Sequence, residues 1–558
     1  MLKTYQFPEY DYVKSPDQEA SDTVTHPIVI IGAGPIGLAA AIDFSLKGIP
    51  VVVLDDNNTV SVGSRAVCYA KRFLDISDRL GVGQRLVDKG VTWNVGKVFF
   101  EDEAVYSFNM LPEKHHRRPG FINLQQYYLE QYYVDRLAEF ECASLRWKNK
   151  LVGIEQNDDY ATLSIETPDG PYQLNAQYVI ACDGANSQTR ALCGLESRGQ
   201  IFEDRFLIAD ILMTDKNFPS ERWFWFNPPF HKGSSTLLHR QPDNLWRIDF
   251  DLGWDADPDE EKKPENIIPR VKAFLGEDVE FELEWTSIYT FTCRRMDDFR
   301  HKRIFFAGDS AHQVSPFGAR GANSGIEDTD NLVWKLALAL KGQASEKLLN
   351  SYSEERVLAA KENILNSTRS TDFITPKNNA NKVMRDAVLS LAKEHSFARP
   401  LVNSGRLSVP PILRNCDLIN ADTAAFNCTV VPGAPCTDGP VLINGEEGYL
   451  LSTLGHQFQC LLFMKDAAVL SEHLLSQLAE LHHKKQPIST VLILNQEPTI
   501  ELPEGVTAVV DHLNVISQRL DGSEMCAYLL RPDQIVSGRS RQFDMNNLLA
   551  MQNHALGL

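Results

Sequence analysis

IVIIGAGPIGLAAAIDFSLKGIPVVVLDDN, residues 28–57, runs from a short apolar strand through a glycine turn into a helix, then into a second apolar strand. The strands are Ile28–Ile31 and Val51–Leu54, the helix ends at Gly48, and together they make one βαβ unit. Gly32 permits the tight turn, Gly34 removes the side chain that would block a phosphate, and Gly37 lets helix pack on strand. The helix start supplies free backbone amides and the positive end of a dipole, which is what a dinucleotide pyrophosphate needs. An acid closing the second strand would hold ribose hydroxyls, and Asp55 stands 23 residues after Gly32. The unit points to a dinucleotide without choosing between FAD and NAD.

Two later stretches repeat the strand-turn-helix theme. YVIACDGANSQTR, 178–190, carries the turn Asp183-Gly184, and AGDSAHQVSPFGARGANSGIEDTDNLVWKLA, 307–337, carries Gly308-Asp309. The second continues through a glycine-rich loop into a long amphipathic helix that begins with small neutral residues. So much backbone freedom before a helix implies a large polar group lying against the loop.

In order and spacing, GAGPIG, DGANSQTR and GDSAHQVSPFGARGANSGIEDTDNLVWKL resemble the motifs of the class A flavoprotein aromatic hydroxylases, the single-component FAD monooxygenases. The likeness spans about residues 27–375 and is greatest to the 3-(3-hydroxyphenyl)propionate hydroxylase and phenol hydroxylase branch. It implies an α/β fold of the p-hydroxybenzoate-hydroxylase type, with a β-rich substrate domain inserted into a Rossmann-type FAD domain. By this resemblance Asp309 binds the ribityl or ribose side of FAD, and Gly321, Ala322 and Asn323 present backbone amides to the pyrimidine edge of the flavin. A helix N-terminus there would stabilise the anion formed on reduction. Arg65 and Gln126 correspond to family contacts with FAD, with Gln125 adjacent to Gln126. Asp183 and Arg190 correspond to a motif linked to FAD and pyridine nucleotide. Its usual Arg-Ser reads Asn186-Ser187 here, which leaves the nicotinamide contact open. Pro316 corresponds to a proline beside the reactive edge of the flavin.

The implied reaction has two halves. NADH or NADPH, binding transiently, reduces FAD, and the reduced flavin traps O₂ as the C4a-hydroperoxide, which attacks a phenolic ring such as that of a hydroxyphenyl carboxylic acid. The protein would contribute a dry pocket and a base. His239 is the first candidate for proton acceptor, Arg247 or Arg240 for an anion anchor, and Tyr289 is a second candidate; all lie on or beside expected strands. His312 reads as part of the flavin scaffold, and His482-His483 as solvated surface. RWFWFNPP, 222–229, resembles the Trp-x-Trp motif of flavin-dependent halogenases but lies in the wrong segment, so it reads as an aromatic sheet face. A halogenase or epoxidase, or an FAD-binding redox module that does not hydroxylate, are the alternatives.

The remaining features bound these readings. At 558 residues the chain is too long for one core. Its formal net charge of −19 argues against nucleic acid or an anionic membrane as partner. No apolar run reaches the ~18 residues of a membrane span. The polar, acidic start reads as a loose leader, so a cytoplasmic protein is expected. Its ten cysteines include no C-x-x-C, and no metal-ligand spacing appears, so no metal site is expected. The expected divisions are a leader 1–26, an FAD domain 27–196 and 297–400, a β-rich domain 197–296, a linker 401–439 and an α/β domain 440–558. In that last domain LLRPDQIVSGR, 529–539, resembles the signature closing the thioredoxin-like domain of phenol hydroxylase relatives. Without C-x-x-C, a structural role or support of a homodimer is expected of it.

Overall fold

Parallel pairing of five short segments builds the first sheet, in the order Ile304–Phe306, Tyr172–Ala181, Thr25–Ile31, Val51–Leu54, Ala143–Arg146. Strands covered on both faces read as unbroken apolar runs, and Ile28–Ile30 and Val51–Leu54 are each no more than 3% exposed. The first four strands run the same way, so the residues that follow their C-terminal ends meet at one edge of the sheet. Those residues are Gly32, Asp55, Asp183 and the Gly308-Asp309 pair. Three motifs spread over nearly 280 residues of sequence are thereby brought to one place, where ligands of open α/β sheets bind.

This computed structural model describes residues 2–63, 65–214, 218–253, 255–402, 408–464 and 470–558. Chain contacts separate two units: Met1–Pro112 with Pro119–Thr329 and Ala360–Val409, and Glu113–Arg118 with Asp330–Ala359 and Pro410–Leu558. Residues 403–407, within the expected linker, lie outside the described residues.

The first unit also holds an eight-stranded, largely antiparallel sheet and a small one of Cys68–Ala70, Phe121–Asn123 and Val91–Trp93. The order of the former is His312–Gln313, Glu282–Arg295, Arg198–Leu212, Leu245–Gly253, Ser235–Arg240, Arg222–Phe226, Val95–Phe100, Glu103–Asn109. Alternation along each strand separates two faces. On one, Leu207, Ile211, Trp246, Ile248 and Phe250 pack under Ile267, Val271 and Leu275 of the Pro264–Leu275 helix. Trp225 shares that side, stacked 4.6 Å from Phe99 and edge-on to Phe274, so the tryptophans do form an aromatic sheet face. The other face carries Phe206, Phe224, Leu237 and Phe291. Among them are buried charged or polar side chains: Asp210, Arg222, His239, Arg247 and Asp249.

Two features depart from expectation. The Val95–Phe100 and Glu103–Asn109 strands, unassigned by pattern, extend this sheet because Val95–Phe100 pairs in parallel with Arg222–Phe226. The initial segment is not loose. Tyr5, Phe7 and Tyr10 bury their rings against aromatic residues of the body, and Asp17 pairs with Arg146 at 2.6 Å and His26 at 2.8 Å.

The second unit holds a seven-stranded sheet whose centre, Phe458–Phe463, Ile488–Leu494 and Val506–Val510, is parallel. The hairpin Ala527–Leu530 and Val536–Ser540 is antiparallel to it. At its turn, Arg531 and Asp533 join Lys335 and Glu355 in an ion cluster in which none of the four side chains is more than 2% exposed. Arg531 grips Glu355 through both terminal nitrogens, at 2.7 and 3.0 Å, and Asp533 at 2.5 Å. Burial pulls the Lys335 amine down to about 8 despite Glu355. Burial would raise the Glu355 carboxyl, but Arg531 and Lys335 hold it well below the usual range. Glu355→Gln leaves two buried cations short of a counter-charge, so a loss of about 3–5 kcal/mol is expected in chemical denaturation followed by circular dichroism. Among the described residues, no helix is long and apolar enough to cross a membrane.

Candidate functional site

The shared strand edge opens on a cavity of about 910 Å³ in the first unit, which continues to the charged face of the second sheet. Gly32, at φ +104°, lies so close to the next motif that a Cβ there would meet the Cys182 carbonyl oxygen at 2.5 Å. At Gly37 a Cβ would fall 2.0 Å from the Gly32 carbonyl oxygen, whereas at Gly34 it would meet nothing within 4 Å. Gly34 therefore borders open space, at the start of a 12-residue helix whose first turn has no side-chain cap. Free amides facing a void of this shape suit a pyrophosphate.

Two carboxylates complete the cradle. Asp55 accepts hydrogen bonds from the Ala33 amide at 2.6 Å and the Asn57 amide at 2.8 Å. Burial raises its pKa and those amides oppose the rise. Asp309 projects into the cavity, and its carboxylate accepts no hydrogen bond from the described residues. Enclosure by the protein raises its pKa, with His312 opposing. Its turn is fixed from behind: Asp328 accepts from the Gly308 amide at 2.9 Å and lies 2.7 Å from His312 Nε2, so His312 belongs to the scaffold. A carboxylate that projects into the cavity, close to a free helix start, fits the polyol and phosphate parts of FAD.

Other expected contacts divide into two groups. Arg65, Gln126, Asp183, Pro316, Gly321 and Ala322 line the cavity. Gln126, rather than its neighbour Gln125, is the one that does so. It accepts from the Ala66 amide at 3.1 Å and donates to Ser61 Oγ at 3.0 Å, with buried Glu130 behind it. Asp183 also accepts from Ser187 Oγ and the Thr189 amide, which fixes the turn into the Gln188–Leu192 helix. Arg190 and Asn323 do not line the cavity. The Arg190 guanidinium donates to the Ser310 and Ala185 carbonyls and so ties two motif loops together. The Asn323 side chain accepts from the Ala70 amide and donates to the Cys68 carbonyl, pinning the Cys68–Ala70 strand to the helix start.

Across the cavity His239, Arg247 and Tyr289 share one wall with Arg222, Asp249 and Cys68, which sequence reading missed. Arg240, one residue on from His239, points to the other side and packs over Trp246. The missed pattern is a charge at every second position of Arg247-Ile-Asp249-Phe-Asp251, on the face opposite Trp246, Ile248 and Phe250. Arg247 Nε donates to Asp249 at 2.8 Å, and Asp249 lies 3.2 Å from His239 Nε2. Burial would raise the Asp249 carboxyl, but Arg247 and His239 hold it well below the carboxylate range. Arg222, 4% exposed, donates to the Cys68 thiol at 2.9 Å and lies over the rings of Trp93 and Phe224. No carboxylate among the described residues pairs with it.

Burial, then the charge of Arg222, brings His239 down to about 4, so its ring is neutral at pH 7. The unfolded chain, near 6.5, takes up this proton first as pH falls, so this group's contribution is full above 6.5 and is lost towards 4. At pH 5 the loss is roughly 2 kcal/mol. Denaturation curves at pH 7 and pH 5 should therefore differ less in His239→Gln than in the native protein.

Comparison with known proteins agrees with this cradle. The chain is 26% identical over 365 residues to the 3-(3-hydroxy-phenyl)propionate/3-hydroxycinnamic acid hydroxylase of Mycolicibacterium smegmatis, covering 65% of this chain and 64% of that one. It is 28% identical over 355 residues to a flavin-dependent monooxygenase of Mycobacteroides abscessus, covering 60% and 71%. The first match spans less than two thirds of the relative's length. Among solved structures, the flavin-dependent monooxygenase PieE with FAD and substrate superposes with a TM-score of 0.80 at 19% identity, over 96% of this chain and 99% of that one. Aklavinone-11 hydroxylase with FAD and aklavinone gives 0.74 at 20% identity, over 97% and 100%. These two likenesses establish the fold alone. The profile of the FAD binding domain matches residues 25–367, which takes in all three motifs and the two large sheets of the first unit, and the chain belongs to that family.

Proposed function

We propose that the protein is an FAD-dependent monooxygenase that uses NADH or NADPH and O₂ to hydroxylate a phenolic aromatic compound bearing a negative charge. The observation that carries this reading is Arg222, a buried cation on the cavity wall whose protein partners are a thiol and two aromatic rings. An ion in that position is costly unless an anion joins it. Arg247 already has Asp249, so of the two arginines on this wall Arg222 is the one with charge to offer. The names of the curated relatives, hydroxylases of hydroxyphenyl carboxylic acids, supply an anion of the right kind.

Bound FAD supplies hydride acceptance and oxygen activation. The chain's own residues prepare the ring. Neutral His239, backed by Asp249, accepts the phenolic proton, and Arg222 pairs with the carboxylate that the substrate already carries. Tyr289 and Phe291 close the apolar side, and Pro316, which also lines the cavity, would border the reacting edge of bound FAD. Gly321 and Ala322 start a 20-residue helix, whose dipole favours negative charge in the cavity.

The same reading keeps the divisions 27–196 with 297–400, 197–296, 401–439 and 440–558. It takes the last as thioredoxin-like, supported by the parallel centre and antiparallel hairpin of its sheet. Cytoplasmic location and a homodimer belong to it as well. The test is NAD(P)H oxidation by the purified yellow protein with hydroxyphenyl carboxylic acids, neutral phenols or no addition. Marked stimulation by the acids is expected. Absence of stimulation by any phenol or acid would contradict the proposal.

A further inference from the structure

The loop from Asn57 to Gly63 forms one edge of the cofactor cavity, and two different sets of contacts hold it. From inside, Glu130 accepts from the Ser61 amide at 2.5 Å and from Ser61 Oγ at 2.7 Å. From outside, the segment KTYQFPEYDY, residues 3–12, reaches the loop through Tyr10 and is itself anchored on the residues around it. The Tyr10 amide donates to the Asn58 carbonyl at 2.8 Å, and the Tyr10 ring stacks on Trp147, 4.6 Å away and parallel within 3°. Tyr5 stacks on Tyr127 at 4.2 Å, on the same helix as Gln126 and Glu130. Thr4 donates to Glu284 through its amide and its hydroxyl, each at 2.8 Å. Next to Glu284, the Trp285 ring presses on Gly63, where a Cβ would fall 2.5 Å from it.

Behind the loop there is space. A second cavity of about 420 Å³ lies between it and Leu2, Phe7 and Trp285, and Thr59 and Val62 border both cavities. The wall between them is thus a single stretch of backbone. Thr59 Oγ is buried there with no hydrogen-bond partner. Outward movement of the loop into the smaller cavity would widen the larger one, and the 3–12 segment stands in its way.

We propose that residues 3–12 form a strap that holds the Asn57–Gly63 loop against the cofactor cavity and sets the rate at which FAD enters and leaves. The proposal rests on FAD binding in this cavity and is independent of the hydroxylase reading. Tyr5 and Tyr10 are positioning residues in this scheme, acting through the loop.

The test is stopped-flow flavin fluorescence, with FAD release followed after dilution of the holoprotein and FAD capture after mixing with apoprotein. Aromatic contacts of this type imply that the double variant Tyr5→Ala/Tyr10→Ala releases FAD about tenfold faster. Because a strap obstructs both directions, capture by its apoprotein should also accelerate several-fold. Tyr10→Phe, which keeps the stack and the backbone donor, should stay within about twofold of the native protein. Deletion of residues 2–12 serves as a second variant, with the same expectation for both rates. Release unchanged in both variants would overturn the proposal. So would faster release with capture unchanged or slowed, because the segment would then merely stabilise the loaded form.

Discussion

Arg222→Met should lose about 10²-fold in kcat/KM for an anionic aromatic substrate, near 3 kcal/mol, with the flavin still bound. The loss should fall mainly on KM, because the guanidinium grips the substrate before and during reaction alike. A neutral phenol should lose far less. Thermal unfolding of the apoprotein supplies the matching expectation. Arg222 is 4% exposed and unmatched by a carboxylate among the described residues, so replacing it with an apolar side chain of similar length should leave stability unchanged or raise it. Steady-state kinetics and a melting curve on one variant therefore distinguish a residue kept for a ligand from one kept for the fold. A large loss of stability with KM unchanged would assign Arg222 to the fold.

Gly34→Val and Gly37→Val should both yield colourless protein, for different reasons. At Gly34 a Cβ meets nothing within 4 Å, so the variant should fold, and its side chain then occupies the space a pyrophosphate needs. A loss of about 4 kcal/mol in FAD affinity, roughly 10³-fold, is expected from fluorescence titration. At Gly37 the Cβ would lie 2.0 Å from the Gly32 carbonyl oxygen, so helix and strand must separate. That variant should be destabilised by more than about 4 kcal/mol, the range of severe core disruption. Retention of FAD by Gly34→Val at native affinity would remove the cradle from the account.

The cradle was legible in the sequence because each part of it is local. A strand, a turn and a helix start are encoded within a dozen residues, and Gly32, Asp55, Asp183 and Asp309 each fall within three residues of their strand's end. The substrate wall was legible only in part. His239, Arg247 and Tyr289 stand out as polar residues in apolar strands, whereas Arg222 only opens the aromatic strand RWFWF and carries no signal of its own. Its burial depends on the Val95–Phe100 strand pairing beside it, a contact more than a hundred residues away in sequence. Arg190 was expected at the cofactor, but its guanidinium is occupied by backbone carbonyls, which spacing does not reveal. The strap was missed for a related reason: Tyr5, Phe7 and Tyr10 follow no helical or strand period, and the aromatic partners of Tyr5 and Tyr10, Tyr127 and Trp147, lie more than 120 residues on.

The most direct measurement is a turnover under ¹⁸O₂ with NADH or NADPH and the hydroxyphenyl carboxylic acid that best stimulates oxidation, with product analysed by mass spectrometry. One labelled oxygen atom in a new ring hydroxyl is the predicted result. NAD(P)H consumption that yields only labelled hydrogen peroxide with every aromatic acid and phenol tried would contradict it, and would leave an FAD protein that reduces oxygen without hydroxylating.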